Sequence, residues 1–337
     1  MAIPPSDHFN GTHFFNPEPT IRPDNAQRGG IWRLLLARAR RDRSVWSKWP
    51  EWVENKQYPP PEGEASITWI GHTTFLIRLP GLTVLTEPVF SERCSPVRFA
   101  GPKRVRAPGI ALADLPRIDL ILLSHNHYDH MDLDSLRALH HHSPGARIVT
   151  PLGNAAYLAK NSIHAAIELD WWQTATVHGA HVTITPARHF SARTLWDRNE
   201  MLWGGLYLSY KGHKIYFAGD TGYTKYFAEI RHRLGAPDLA MLPIGAYEPR
   251  WMMGPVHMDP AEAVRAMLDL HATRAVGMHF GTFQLTAEPM DAPLHELKAA
   301  MRAAEQPLER FFTLDVGESA PLVYSEPWQN SAPISCL

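Results

Sequence analysis

Short apolar runs separated by turn residues dominate the chain from residue 66 onward. Many of them are dense in Val, Ile, Thr, Phe and Tyr, which is typical of strands. Pro80-Gly81 and Lys211-Gly212-His213 mark turns between neighbouring runs. We predict strands within residues 66–79, 82–90, 118–123, 146–150, 181–187, 206–210, 214–218, 238–244 and 274–278.

Helical patterns lie between these strands, at residues 133–141, 153–160, 226–233, 260–270 and 293–304. The helix at Pro260 has the strongest start signal, because Asp259 can cap it and Glu262 stands at the capping-box position. Helices interleaved with hairpins and isolated strands predict an α/β sandwich. We assign this domain to residues 64–337.

The first 63 residues have a different pattern. Residues 1–30 are rich in Pro, Asn and Gly and predict an extended arm. Apolar and arginine side chains alternate over residues 31–43, which predicts a short basic amphipathic helix. Two interpretations remain open: the helix packs on the domain with a solvated basic face, or it contacts an anionic lipid surface.

Composition narrows the functional classes. The 337 residues carry 33 basic and 34 acidic side chains, a balance that argues against a nucleic-acid binder. Two cysteines, Cys94 and Cys336, indicate neither a disulfide framework nor a thiolate zinc site. The sequence shows no secretion signal and no membrane-spanning run. We therefore expect a cytoplasmic protein, soluble or peripheral at the inner membrane face.

Metal-type ligands follow several predicted strands. The run LILLSHNHYDHMD brings His125, His127, Asp129 and His130 directly after one strand, and the other candidates, His189, Asp220 and His279, follow three more. Loops converge at the carboxyl ends of strands. The simplest explanation of this pattern is therefore one site whose residues come from four loops. A single histidine at a strand end is usually structural, but four ligand-type residues within six positions are not. The three histidines at residues 140–142 end a predicted helix and are left out as a solvated terminus.

The number of ligands predicts two divalent ions. Imidazole and carboxylate groups suit Zn²⁺, with Mn²⁺ or Fe²⁺ as alternatives, and these ligands exceed what one tetrahedral ion uses. We assign the ligands to the two ions in three groups: His125, His127 and His189 to the first, Asp129, His130 and His279 to the second, and Asp220 as the bridge.

The motif SHNHYDH resembles the H-x-H-x-D-H signature of the metallo-β-lactamase fold hydrolases. The strings GPKRVRAP, ELDWW, FAGDTGY, PIGAYEPRWMM and HFGTF resemble the branch of N-acyl-phosphatidylethanolamine-hydrolysing phospholipases D. The resemblance implies an αββα sandwich of two mixed sheets, a dimetal site at one edge between them, and a homodimer. One position differs from the pattern of this family: Glu87 stands where the family usually has Asp. That acid orients a ligand histidine, so we give Glu87 no ligand role.

We therefore expect a phosphodiesterase of phospholipase D type that acts on a lipid or lipid-like phosphodiester. The predicted catalytic residues are Asp129, Asp220 and His257, and the predicted substrate-binding residues are Tyr247, Arg250, Trp251 and His257. The guanidinium of Arg250 suits phosphate oxygens, but an equal alternative is a structural salt bridge to Glu248 or another acid. The resemblance supports the assignment of His257.

Other functions fit the same ligand set. A hydrolase of this fold could cleave a lactone, a β-lactam or nucleic acid, although the balanced charge weighs against nucleic acid. A non-catalytic metal-binding regulator is the third interpretation. An intact ligand set argues against it.

Overall fold

A computed structural model describes residues 6–18, 53–59 and 65–322. The predicted basic helix at residues 31–43 lies outside these ranges. The predicted division of the chain after residue 63 stays a prediction.

The strands of the described residues form two sheets. In chain order they are β1 (Ser66–Gly71), β2 (Thr74–Leu79), β3 (Leu82–Thr86), β4 (Leu120–Leu122), β5 (Arg147–Pro151), β6 (Ala166–Leu169), β7 (Thr174–Val177), β8 (Ala180–Thr185), β9 (Gly205–Tyr210), β10 (His213–Phe217), β11 (Leu239–Pro243), β12 (Arg274–Met278), β13 (Phe311–Phe312) and β14 (Ser319–Pro321). The helices are α1 (Leu133–His142), α2 (Asn154–Lys160), α3 (Tyr226–Leu234), α4 (Arg250–Met253), α5 (Pro260–Asp269) and α6 (Ala292–Ala303).

Both sheets have seven strands and mixed direction. The first has the order β14-β1-β2-β3-β4-β5-β6, antiparallel from β14 to β3 and parallel from β3 to β6. The second has the order β13-β12-β11-β10-β9-β8-β7, parallel from β13 to β10 and antiparallel from β10 to β7.

Alternating side chains of the first sheet separate two layers of core. In β4, Leu120 and Leu122 join the large cluster that lies between the sheets, whereas Ile121 packs with Leu136 and Leu139 of α1. On the second sheet, α5 and α6 contribute Met267 and Met301 to the large cluster. The predicted αββα sandwich is confirmed.

The predicted helices agree with the observed ones to within about one residue at each end. The capping box of α5 is present: the Asp259 side chain accepts a hydrogen bond from Glu262 N, and the Glu262 side chain accepts one from Asp259 N. Among the helices of the described residues, none is both long and apolar enough to cross a membrane.

The sequence pattern missed one turn that matters for the site. Residues 66–79 read as a continuous apolar stretch, but the structure divides them into β1 and β2, with His72 and Thr73 in the turn. His72 has a φ of 55°. The short strands β6, β7, β13 and β14 were also missed, as was helix α4.

Candidate metal centre

The predicted metal ligands meet at one edge of the sandwich, where strands of both sheets end. Residues 125–130 follow β4 of the first sheet. His189, Asp220 and His279 follow β8, β10 and β12 of the second sheet. The structure thus brings together all the side chains that the strand-end pattern selected, although their roles as ligands stay predictions.

Three histidines form the first group. The distance from His125 Nε2 to His127 Nδ1 is 2.9 Å, and that from His189 Nε2 to His127 Nδ1 is 3.3 Å. His125 and His189 are buried, and His127 is partly exposed. These are the residues that we assigned to the first ion.

Asp129, His130 and His279 form the second group. Asp129 Oδ2 lies 3.2 Å from His130 Nε2 and 3.3 Å from His279 Nε2. These are the residues that we assigned to the second ion.

Asp220 lies between the two groups. Its Oδ2 atom is 3.0 Å from His130 Nε2, 3.1 Å from His279 Nε2 and 3.8 Å from His189 Nε2. The preceding Gly219 has a φ of 58°, and a side chain there would collide with Ser124. A glycine therefore allows the Asp220 loop to approach the first sheet this closely.

Burial and mutual charge determine the protonation of the site. Burial holds the pKa of His125 and His189 well below the usual value and lowers that of His127 to about 4. Burial acts to raise the pKa of Asp220, but His130, His279 and His257 hold it well below the usual range. Neutral imidazoles beside ionised carboxylates are the forms that bind a metal cation.

Two histidines of the second group carry the protons that a cation would replace. Burial acts to lower the pKa of His130, but Asp220, Glu87 and Asp129 raise it well above the usual value. Asp220 and Asp129 likewise overcome burial and raise the pKa of His279 to about 9. A positive charge is therefore favoured where the carboxylates meet, which suits a divalent cation.

Unsatisfied buried atoms test whether this donor set fits a metal. Asp220 Oδ1 and His257 Nδ1 are buried and have no hydrogen-bond partner among the described residues. Leaving buried polar atoms without partners costs about 1–3 kcal/mol each, so such atoms mark a site for a ligand or ion. The donor set, imidazole nitrogen and carboxylate oxygen, fits zinc and similar ions.

Glu87 is long enough to contact both halves of the centre. Its Oε2 atom lies 2.5 Å from His130 Nδ1. Its Oε1 atom accepts hydrogen bonds from the backbone N–H of Ser124, at 3.0 Å, and from the Ser124 hydroxyl. That hydroxyl lies 2.8 Å from His125 Nδ1. The carboxylate thus orients His130 directly and His125 through Ser124.

His72 is the site residue that the sequence pattern missed. Its Nε2 atom lies 3.0 Å from Asp129 Oδ2, and its backbone carbonyl accepts a hydrogen bond from His279 N. Burial lowers its pKa to about 3. The signal was available, since His72 follows the end of β1 as the other candidates follow their strands.

Of the predicted substrate residues, His257 lies at the centre: its Nδ1 atom is 3.9 Å from Asp220 Oδ2, and burial lowers its pKa to about 4. Tyr247 is buried, and burial together with Glu296 raises its pKa. Trp251 is half-buried on α4.

Arg250 forms the salt bridges that we held open as the alternative. Its Nη2 atom lies 2.6 Å from Glu262 Oε2, and its Nε atom lies 3.4 Å from Asp259 Oδ2. Its Nη1 atom also donates to the carbonyl of His257, at 3.0 Å. The guanidinium therefore contacts the centre through His257, and its predicted contact with phosphate stays a prediction.

A family model of the β-lactamase superfamily domain matches residues 83–280, which include every predicted metal ligand. This chain belongs to the β-lactamase superfamily. Within that superfamily its relatives include proteins named as metal-dependent hydrolases and as phospholipases D.

Two relatives and one solved structure illustrate the similarity. An uncharacterised protein of Mycobacterium tuberculosis is 44% identical over 71% of this chain and 65% of its own length, so the chain spans less than two thirds of that relative. N-acyl-phosphatidylethanolamine-hydrolyzing phospholipase D 1 of Caenorhabditis elegans is 39% identical over 74% of each protein. The fold is similar to that of the metallo hydrolase Igni18 of Ignicoccus hospitalis, with a TM-score of 0.59 and 23% identity over 77% of this chain and 99% of that one.

Proposed function

We propose that the protein is a hydrolase that holds two divalent metal ions, with Zn²⁺ as the first candidate and Mn²⁺ or Fe²⁺ as alternatives. The position of Asp220 carries this proposal. One of its oxygens lies within 3.1 Å of His130 and His279 of the second group and 3.8 Å from His189 of the first. A carboxylate between two such groups can bridge two ions.

Bound ions of this kind supply Lewis-acid chemistry, since they lower the pKa of water and neutralise charge that develops during reaction. The residues of the chain orient the reactants. His257 offers an unpaired Nδ1 beside Asp220, where it can hold a proton of the attacking water or of the leaving group. Its lowered pKa keeps the ring neutral near pH 7, so one of its two nitrogens is free to accept a proton. Asp129 stays ionised and keeps His279 in place.

We further propose that the reaction is that of a phospholipase D, with N-acyl-phosphatidylethanolamine or a related lipid-like phosphodiester as substrate. The name of the Caenorhabditis elegans relative supports this choice, at 39% identity over most of both chains. The branch motif PIGAYEPRW, residues 243–251, lies within the part of the chain that the family model matches and ends six residues before His257.

Exposed apolar side chains on two loops support contact with a lipid surface. Phe99, Leu195 and Trp196 are 85–90% exposed. Val97 and Arg193, near them in sequence, line a cavity of about 520 Å³ together with Tyr128, which follows His127 directly. Large apolar groups exposed to this degree are costly in water and mark an interaction surface. Whether the protein forms homodimers stays a prediction.

A paired assay of purified protein of known metal content tests the proposal. The substrates are an N-acyl phospholipid in vesicles, a simple aryl phosphodiester, a β-lactam and a lactone. We expect turnover of the phospholipid and slower turnover of the aryl phosphodiester.

Turnover of the β-lactam or the lactone alone would reject the phosphodiesterase proposal and leave the dimetal centre in place. Two bound ions without turnover of any substrate would favour a regulatory protein. Less than two equivalents of metal, after dialysis against each candidate ion, would reject the dimetal centre itself.

A further inference from the structure

Residues 6–18, which we call the N-terminal strap, contact several loops, two of which carry predicted metal ligands. Phe14 is 1% exposed and belongs to the main core cluster. The His8 ring stacks on Trp171 with centroids 4.0 Å apart, and His8 Nε2 lies 2.8 Å from Asp170 Oδ1. The motif ELDWW thus provides the anchor of this strap.

The strap contacts the loop of one predicted ligand through Asn16. The Asn16 side-chain amide donates a hydrogen bond to the backbone carbonyl of His189, at 2.9 Å. A carbonyl only accepts, so the amide nitrogen must face it. Phe14 N also donates to Asn199 O, and Asn199 N donates to Ser191 O, two residues after His189.

The strap contacts the loop of a second predicted ligand through Glu18. Thr224 Oγ1 donates a hydrogen bond to Glu18 Oε2, at 2.8 Å. Thr224 is 3% exposed and follows Asp220 by four residues. The Glu18 side chain is itself only 15% exposed, with Lys225 3.7 Å away.

The two ligand loops also touch each other beneath the strap. Gly222 N donates to Arg188 O at 2.9 Å, and Arg188 N donates to Thr221 Oγ1 at 3.0 Å. Asn16 contacts the loop of His189 and Glu18 contacts the loop of Asp220. One segment of the chain is therefore bonded to both of the loops that meet at this junction.

We propose that Asn16 and Glu18 are positioning residues for the metal centre, which they serve by holding the loops of His189 and Asp220 at the separation that ion binding requires. The inference rests on the proposed metal centre. Neither side chain touches a ligand side chain, so each acts through a backbone or a neighbour. Replacing a residue that supports a metal ligand, without binding the metal itself, typically weakens metal binding by about 10–100-fold.

Metal affinity of four variants tests the inference, measured by competition with a chelator of known affinity. We expect Asn16→Ala and Glu18→Ala to weaken binding of at least one ion by about tenfold. Glu18→Gln should restore it, because the amide oxygen can still accept from Thr224. The matched control is Asn161→Ala, whose amide likewise donates to a carbonyl, that of Tyr157, at the end of α2. That variant should bind metal as the wild type does.

Thermal unfolding of the metal-free proteins separates positioning from general destabilisation. Weaker metal binding with rescue by Glu18→Gln, at a metal-free Tm close to that of the wild type, supports the proposal. Unchanged affinity in both alanine variants, with two ions in the wild type, overturns it and leaves the proposed function intact. A wild type that binds fewer than two ions overturns both.

Discussion

The Nδ1 atom of His130 lies 2.5 Å from Glu87 Oε2, and both side chains are fully excluded from solvent. The second oxygen of the same carboxylate reaches His125 through the Ser124 hydroxyl. One buried acid therefore fixes a histidine in each predicted ion group. The longer side chain thus satisfies two partners at a position where the family usually has aspartate.

Shortening Glu87 should weaken both ion groups together. In Glu87→Asp the carboxylate is withdrawn by about 1.5 Å, the length of one carbon–carbon bond, and cannot reach His130 and Ser124 at once. We expect metal affinity to fall about tenfold, and in Glu87→Ala by up to about 100-fold, measured by chelator competition. The control is Glu92→Ala, whose carboxylate is exposed and pairs with Lys103. Equal affinities for wild type and Glu87→Asp would show that the length of the side chain is unimportant.

Removing the charge of Asp220 should weaken metal binding and catalysis more than any substitution outside the ligand set. Asp220→Asn keeps the shape of the side chain but removes the negative charge that His130 and His279 share. We expect metal content to fall below two equivalents and kcat/KM to fall by more than about 100-fold. Metal analysis and steady-state kinetics measure the two effects. The exposed carboxylate of Asp114 offers the control Asp114→Asn, and a variant Asp220→Asn with full metal content would contradict a bridging role.

The two interpretations of Arg250 differ in their kinetic signature. Its guanidinium holds the His257 carbonyl and pairs with Glu262. If it acts by positioning His257, Arg250→Ala lowers kcat by up to about 100-fold and leaves KM nearly unchanged. If it binds the phosphate of the substrate directly, KM rises instead. We expect the first result, with Arg265→Ala on α5, the helix that carries Glu262, as the control.

The attachment of the N-terminal strap should weaken as pH rises. Burial acts to lower the pKa of His8, but hydrogen bonds to Asp170 and Asp7 raise it above the usual value. A raised folded pKa means that protonated His8 stabilises the protein fully below about pH 6.5, and that this contribution is lost as pH rises through the folded pKa. We expect the difference in unfolding free energy between wild type and His8→Gln to shrink from acid to alkaline pH in urea titrations.

The exposed His13 in the same strap provides the control for this experiment. Its imidazole contacts the Thr12 hydroxyl rather than an acid, so His13→Gln makes the same replacement without breaking a contact with a carboxylate. A difference for His8→Gln that grows with pH would mean that His8 is neutral when the strap is bound.

The positions of the candidate ligands could be predicted from the sequence, because each of them follows the apolar run of a buried strand. Leu120–Leu122 leads into His125, and Arg274–Met278 leads directly into His279. The polar residues are costly to bury unless they share a site, so their common position after strands was informative. This argument selected the residues that the structure brings together.

The pattern of residues 66–79 hides His72 when it is interpreted as one strand. Thr73 and Thr74 are strand-formers, and His72 itself takes a left-handed conformation without being glycine or asparagine. Gly71 directly before it is the turn signal, and the pairing of β1 with β2 confirms the turn. The partners of Arg250 were equally hidden, since its contacts with Asp259 and Glu262 depend on how α4 meets α5.

The candidate ligands come from both layers of the sandwich, four of them after β4 in the first sheet and the others after β8, β10 and β12 in the second. Metal coordinated across that boundary would act as a reversible crosslink between the two halves of the polypeptide. Cells starved of the metal would then hold a looser protein that proteases cut more readily, so the abundance of the protein would follow the supply of the ion.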